Sequence, residues 1–356
     1  MPKIYPSRPT LPTHPLVQSL LRGECIGLPS ESTYEVVGAA LQMRDYSRIT
    51  KIASEKCLAA IVINSLPALY DWMPLLEGAV VRIVRGLNAG PLTIVADGGY
   101  RQGLWSRLPV GAQEAVVHNG RLAIRWPKGE IWSELPADLP LISVPVPTAS
   151  TGDELATCAG VEVVLDGGAY SDPRGPSIIE ASGRRYLVRF EGGLPADFVD
   201  ELARCRILFL CTGNTCRSPM AKALCVKLLA DALHCRPDEL PSRGFSVESA
   251  GLAAYRGGPA SPEAVQVAAE FGADLSNHRS EQASVETVAW ADHIFTMTAS
   301  HLSAISGVPC ISTPRLLSPT GQDVSDPIGG ALSDYRTCAE QIIQCLKERL
   351  PEILES

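Results

Sequence analysis

Cys211-Thr-Gly-Asn-Thr-Cys-Arg217-Ser218, entered from the apolar run Ile207-Leu-Phe-Leu210, is the stretch on which the reading of this chain turns. A cysteine and an arginine, with five residues between them, stand where a strand-like run gives way to helix-forming residues. The backbone N–H groups of such a loop can wrap a tetrahedral oxyanion, and the following helix adds the positive end of its dipole. The same field favours the thiolate form of a cysteine at the base of the loop, making it a nucleophile at neutral pH. Arg217 offers a planar fork of donors that matches a phosphoryl group. Together these residues describe a phosphate trap with a nucleophile at its floor.

Outward from this loop, the chain from Arg206 onward alternates strand-like and helix-like pieces. Ile207–Leu210, Phe245–Ser249, His293–Thr298 and Cys310–Ser312 read as strands. Pro219–Leu233 has helical spacing, Ser261–Phe271 opens with a Ser-Pro-Glu start, and Tyr335–Leu350 closes the chain as a helix. Such alternation predicts an α/β fold built on a parallel sheet, with the phosphate loop at the carboxyl end of the first strand.

The first half is less regular. Strand-like runs recur at Cys25–Leu28, Ala59–Ile63, Ala79–Val84, Leu92–Val95, Leu122–Arg125, Leu141–Val144, Val161–Leu165 and Tyr186–Phe190, with many Gly- and Pro-rich connections. This pattern predicts a mixed α+β domain around a sizeable twisted sheet. The seam falls near Glu191-Gly-Gly-Leu-Pro195. The expected organisation is therefore a two-domain α/β chain: a first domain over 10–193, a linker over 194–205 with a short helical connector, and a second domain over 206–356. Tyr5-Pro-Ser-Arg-Pro-Thr-Leu-Pro12 reads as a proline-rich lead-in.

Composition narrows the function classes. The 356 residues are 46% hydrophobic and 20% charged, as in soluble globular proteins, and the formal net charge of −8 lacks the basic excess of a general nucleic-acid binder. Eleven cysteines are scattered without paired metal-ligand spacing, which argues against zinc. No signal pattern and no bilayer-length apolar run is found, so a cytoplasmic protein without a membrane partner is expected.

Over residues 206–356 the chain resembles the low-molecular-weight protein-tyrosine-phosphatase family. Its cysteine, five residues, Arg-Ser loop stands intact at Cys211–Ser218, its Asp-Pro acid loop matches Asp326-Pro327, and its Ser-Ala-Gly motif matches Ser249-Ala-Gly251. The resemblance implies a cysteine-dependent phosphatase of phosphorylated proteins. Cys211 attacks phosphorus and forms a cysteinyl-phosphate, while Arg217 and the loop amides hold the equatorial oxygens. Asp326 protonates the leaving atom and then activates water, and Ser218 supports departure of the Cys211 sulfur. Thr212, Gly213, Asn214, Thr215 and Cys216 complete the substrate-binding loop, with Asn214 pinning its conformation and Ile328 at its rim. No cofactor and no metal is called for. Cys216 has two readings: the partner of a reversible disulfide with oxidised Cys211, as the resemblance implies, or a passive small residue. His278 and His301 are assigned no role.

Within the family, threonine at the position of Thr215 resembles the bacterial protein-arginine phosphatases, as do the run 211–220 and Asp323-Val-Ser-Asp-Pro-Ile-Gly-Gly330. A threonine hydroxyl can address guanidinium N–H groups, which a phenyl ring lacks. Many tyrosine phosphatases carry aromatics after the Asp-Pro pair, where this chain has Ile328 and Gly329. The arginine subgroup, however, tends to have Phe at the Ile328 position, so this chain departs from its pattern there; phosphoarginine is the leading substrate and phosphotyrosine the second. An arsenate reductase on this scaffold is a rival that needs a relay of further cysteines, whereas Cys310 is single and late.

Residues 10–193 resemble the YrdC-like threonylcarbamoyl-AMP synthase family through short pieces in shared order. These are Leu28-Pro-Ser-Glu-Ser-Thr-Tyr34, Gly90-Pro-Leu-Thr93, Leu122-Ala-Ile-Arg-Trp-Pro127, Gly175-Pro-Ser-Ile-Ile179 and Leu187-Val-Arg189. The family's nucleotide site uses a Lys-x-Arg pair and a Ser-x-Asn pair. Here Lys51-Ile-Ala53 keeps only the lysine, Pro145-Val-Pro147 stands in place of Ser-x-Asn, and Glu35 replaces the glycine after Tyr34. The expectation is a domain that keeps the fold and has lost the synthase chemistry, serving as a binding or scaffold unit for a nucleotide, an amino acid or RNA. Lys51 is its residual cofactor-site candidate. An active synthase in tRNA modification is the alternative.

Overall fold

The computed structural model describes residues 3–6, 14–161 and 163–356, and divides into two compact units, 1–203 and 204–356. Of the lead-in at 5–12, Tyr5 and Pro6 end the strand Lys3–Pro6, while 7–12, with the expected domain start at residue 10, lie outside the described residues. Among these residues no helix is long and apolar enough to cross a membrane.

The first unit is a mixed sheet of eleven strands. They are β1 (Lys3–Pro6), β2 (Ile26–Pro29), β3 (Tyr34–Ala39), β4 (Ala60–Val62), β5 (Leu92–Ala96), β6 (Val117–His118), β7 (Arg121–Arg125), β8 (Leu141–Val146), β9 (Val163–Asp166), β10 (Ser177–Ser182) and β11 (Arg185–Phe190). Their order is β1-β9-β2-β3-β8-β4-β7-β5-β10-β11, with β6 paired to β7. One face packs Val36, Ile61, Ile94, Ile124, Ile142 and Val144 into the main core. On the opposite face the register aligns Glu35 with Pro145, Ser143 with Ala60, Val62 with Arg125, and Arg125 with Thr93. A polar stripe of Glu35, Ser143, Arg125 and Thr93 therefore crosses four strands of the sheet.

Three local expectations are corrected. Ala79–Val84 lies in a helix, Ala79–Leu87, because Ala79, Val80, Ile83 and Val84 recur at helical spacing and bury one face. Left-handed Asn88 (φ 47°) ends that helix. The stretch 194–205 holds the expected short helix, Ala196–Ala203, but as part of the first unit and not as a linker; there the Arg82 Nε–H donates to the Ala203 carbonyl over 2.7 Å. In the second unit Cys310–Ser312 is loop, flanked by Pro309 and Pro314, which cannot donate to a ladder.

The second unit is a four-stranded parallel sheet, in the order β13-β12-β14-β15. The strands are β12 (Cys205–Cys211), β13 (Phe245–Gly251), β14 (His293–Thr296) and β15 (Arg315–Leu316). The apolar run of β12 splits by alternation. Ile207 and Phe209 pack with the helices Arg217–Ala232, Pro262–Glu270 and Leu332–Leu354, whereas Leu208 and Leu210 pack with residues of Val285–Ala289 and with Ile305. Apolar side chains on both faces are what a central parallel strand requires. The strand ends at Cys211, where the loop leads directly into the helix Arg217–Ala232.

Candidate functional site

The loop 211–217 is held from below by hydrogen bonds that the sequence places far apart. Asn214 adopts a left-handed backbone (φ 54°), which asparagine tolerates better than most residues. Its N–H donates to the Cys211 sulfur over 3.2 Å, and its Nδ2 donates to Ser218 Oγ at 2.9 Å and Ser249 Oγ at 3.0 Å. Asn214 Oδ1 in turn accepts from the Glu281 N–H over 2.9 Å. Cys211 is buried, and its sulfur lies 2.9 Å from Ser218 Oγ. Loop carbonyls are tied as well: the Ala253 N–H donates to Thr212 O and the Ser261 N–H to Thr215 O, each over 2.9 Å.

Gly251, opposite Cys211 in the β12–β13 ladder, has a steric reason to be glycine. A Cβ there would stand 2.6 Å from the Thr212 carbonyl oxygen and 2.9 Å from the Asn214 nitrogen, both backbone atoms. The Ser249-Ala-Gly251 motif thus supplies one hydroxyl to the network and one gap for the loop.

Arg217 is buried in the first turn of its helix, and its Nη2 donates to Asp326 Oδ2 over 2.5 Å. Its Nη1 also points at the Val324 carbonyl, 3.5 Å away. Asp326 is the more exposed partner, and its Oδ1 accepts from the Ile328 N–H over 3.3 Å, which fixes the carboxylate plane. The structure therefore brings Cys211, Asn214, Arg217, Ser218 and Asp326 into one contiguous constellation. Thr212 is exposed at the loop's mouth and Thr215 half-buried, while Ile328 stands 69% exposed at the rim. Gly213 is half-buried, with room for a Cβ. Cys216 turns away from the mouth: its sulfur lies 3.4 Å from Ser261 Oγ and 3.5 Å from the Tyr335 hydroxyl. Cys338, a turn beyond Tyr335 on the same helix, is fully buried, and burial pushes its thiol up to about 12.

Two residues that the sequence left without a role sit against the loop. His278 Nε2 is 2.8 Å from the Asn214 carbonyl, and burial holds its imidazole below its ordinary value. His301 Nε2 is 2.8 Å from Thr212 Oγ1, and burial, reinforced by Arg217, lowers it likewise. No local pattern marks either one, since their partners lie 64 and 89 residues away.

The first unit contains a different constellation, on the polar stripe. Arg125 and Glu35 have fully buried side chains and pair at 2.5 Å, with Glu31 3.5 Å from the same Arg125 nitrogen. Among the described residues, Arg125 Nε and Nη1, Glu35 Oε2, Glu31 Oε1 and the hydroxyls of Thr33, Thr93 and Ser143 are buried without a hydrogen-bond partner. Burial pushes the Glu31 carboxyl above its ordinary value, Arg125 opposing and Glu35 adding to the push. Glu31 Oε2 accepts from the Lys128 N–H over 2.8 Å. Lys128 also lines a cavity of about 240 Å³ with Trp126, Trp132, Asn64 and Asn88. Lys51 is exposed in the last turn of the helix Ser47–Ile52.

Residues 206–356 match the family described as low molecular weight phosphotyrosine protein phosphatase. A protein-arginine-phosphatase of Geobacillus stearothermophilus is 37% identical over 157 residues, 42% of this chain and 97% of that protein. An arsenate reductase of Bacillus cereus is 30% identical over 149 residues, 42% of this chain and 96% of that protein. A solved low molecular weight protein tyrosine phosphatase from T. tengcongensis is 34% identical, covers 42% of this chain and 99% of its own, and gives a TM-score of 0.37. Through residues 206–356 the chain belongs to the low molecular weight phosphotyrosine protein phosphatase family, and it is a cysteine-based protein phosphatase, a hydrolase.

Proposed function

We propose that the second unit removes phosphoryl groups from phosphoarginine in proteins through a cysteinyl-phosphate on Cys211. The observation that carries the chemistry is the joining of Cys211, Ser218, Arg217 and Asp326 in one site. The sulfur attacks phosphorus in line while its charge is supported by the Asn214 N–H and Ser218. Arg217 and the helix N-terminus stabilise the equatorial oxygens. Asp326 donates its proton to the leaving nitrogen, then as carboxylate accepts one from the water that releases phosphate. The preference for phosphoarginine rests on Thr215, a hydroxyl-bearing residue within the loop, and on the aliphatic Ile328 where a tyrosine-selective rim would stack a ring. The similarity to a protein-arginine-phosphatase supports it.

Turnover of para-nitrophenyl phosphate without added metal, abolished in Cys211→Ser, tests the chemistry. Comparing phosphoarginine with phosphotyrosine peptides, and repeating with Thr215→Ile, tests the specificity. A variant with no shift towards phosphotyrosine would remove Thr215 from the argument. Arsenate reduction is disfavoured because it needs a relay of further cysteines to carry a disulfide outward, and Cys310 is single and late.

For the first unit we infer a YrdC-like scaffold whose anion site is worn. Arg125 belongs to the Leu-Ala-Ile-Arg-Trp-Pro piece, and Glu35, standing where the family has glycine, pairs with one nitrogen of its guanidinium. Pro145 lies beside Glu35 on the same face and offers no donor. Calorimetric titration of the full chain with ATP and threonine is the test. Threonine-dependent pyrophosphate release would overturn this reading in favour of an active synthase.

A further inference from the structure

We propose that His301 is a positioning residue that sets the Thr212 hydroxyl at the mouth of the phosphate loop and ties that loop to the segment bearing Asp326. The inference rests on the reading of Cys211 as the nucleophile.

His301 is 6% exposed, and each ring nitrogen faces one hydroxyl: Nε2 lies 2.8 Å from Thr212 Oγ1, and Nδ1 lies 2.9 Å from Thr298 Oγ1. Thr298 caps the helix Ala299–Ala304, accepting from the His301 N–H over 3.3 Å. The next residue, Ala299, donates its N–H to Asp323 Oδ1 over 2.8 Å, and Val324 donates to the Met297 carbonyl over 2.8 Å. The imidazole thus stands between two strips of backbone: the phosphate loop on one side, and on the other the turn that is latched to 323–324, two residues before Asp326.

Arg217, Asp323 and Asp326 are the charged groups that act on His301, Arg217 opposing its protonation and the two carboxylates favouring it. A neutral imidazole carries one N–H and one lone pair, so it accepts a hydrogen bond from one threonine hydroxyl and donates one to the other. Either tautomer imposes a direction on the chain Thr298–His301–Thr212. The Thr212 side chain is exposed and follows the nucleophile directly, so without His301 its hydroxyl and the adjoining peptide would lose their lateral support.

Two substitutions separate the two contacts. Glutamine at 301 places its amide where Nε2 stands and can reach Thr212; asparagine places its amide where Nδ1 stands and can reach only Thr298. With full-length protein and para-nitrophenyl phosphate, His301→Asn and Thr212→Val should each lower kcat/KM about tenfold, chiefly in kcat. His301→Gln should recover most of what His301→Asn loses. The double variant T212V/H301N should be no worse than either single one, since both break the same contact. Wild-type turnover in Thr212→Val, a surface change that leaves folding intact, would overturn the proposal. Equal losses in the Gln and Asn variants, or additive losses in the double, would do the same. Failure of the underlying reading has a different signature: Cys211→Ser would keep its turnover.

Discussion

Asp326 and Arg217 hold each other through a 2.5 Å hydrogen bond across the mouth of the phosphate loop. The side chain proposed as the proton donor therefore takes up one nitrogen of the guanidinium proposed to grip phosphate. On the proposed mechanism, an arriving phosphoryl group would compete with Asp326 for Arg217.

Asp326→Asn should consequently have two opposite effects. On substrates with poor leaving groups kcat should fall about 10²- to 10³-fold through loss of the acid. Inorganic phosphate should inhibit the variant more strongly than wild type, because Arg217 is released. Steady-state kinetics with phosphate as inhibitor reads both, and unchanged inhibition would show that the ion pair does not compete.

Gly251→Ala is expected to damage activity well beyond its size. The added Cβ meets backbone at 2.6 and 2.9 Å, so Thr212 and Asn214 must move, and displacements near 1 Å can cost about 10²-fold in rate. Turnover of para-nitrophenyl phosphate checks this, with near-ultraviolet circular dichroism confirming that the unit remains folded.

In the first unit, Glu35→Leu strands the Arg125 charge in the core and should cost about 3–5 kcal/mol, reduced by whatever Glu31 supplies. Pairing it with Arg125→Met should recover most of the loss. Trp72, Trp105, Trp126 and Trp132 lie in this unit and Trp290 in the second, so urea unfolding followed by tryptophan fluorescence in a Trp290→Phe background reports the first unit's transition. A double variant as unstable as the single one would contradict the buried-charge account.

Glu31 gives a pH prediction whose sign follows from its raised carboxyl. The folded state holds its proton more tightly than the unfolded chain, so the wild type loses stability as pH rises from the ordinary value of 4.5 through the raised one. Glu31→Gln removes that loss. It should stabilise the first unit at neutral pH, with the advantage vanishing below about pH 4. An advantage that is constant from pH 4 to 7 would mean that ionisation of Glu31 is not its source.

What was legible in the sequence, and what was not, follows from where each signal resides. Ile207–Leu210 could be read as a strand because a central parallel strand is apolar on both faces. Cys211, Arg217 and Ser218 were legible as a loop because their spacing is local. Ala79–Val84 misled because the same apolar letters serve a helix when their burial repeats at three to four residues. Tyr34–Ala39 escaped notice because Glu35 and Gly38 interrupt its apolar pattern, and Glu35 is tolerated there only through Arg125, 90 residues later. His278 and His301 were invisible for the same reason: their partners are near only after the chain has folded.

The floor of the phosphate loop also sorts the cysteines by a property other than accessibility. Of eleven thiols, Cys158 is the exposed one among the described residues, in the first unit, while Cys211 is buried beneath an anion-shaped cradle in the second. A neutral maleimide should therefore mark Cys158 ahead of the half-exposed Cys235 and Cys310, whereas iodoacetate, drawn in by its carboxylate, should alkylate Cys211. Choosing the charge of the reagent would place two different labels on the two units of one unmutated molecule.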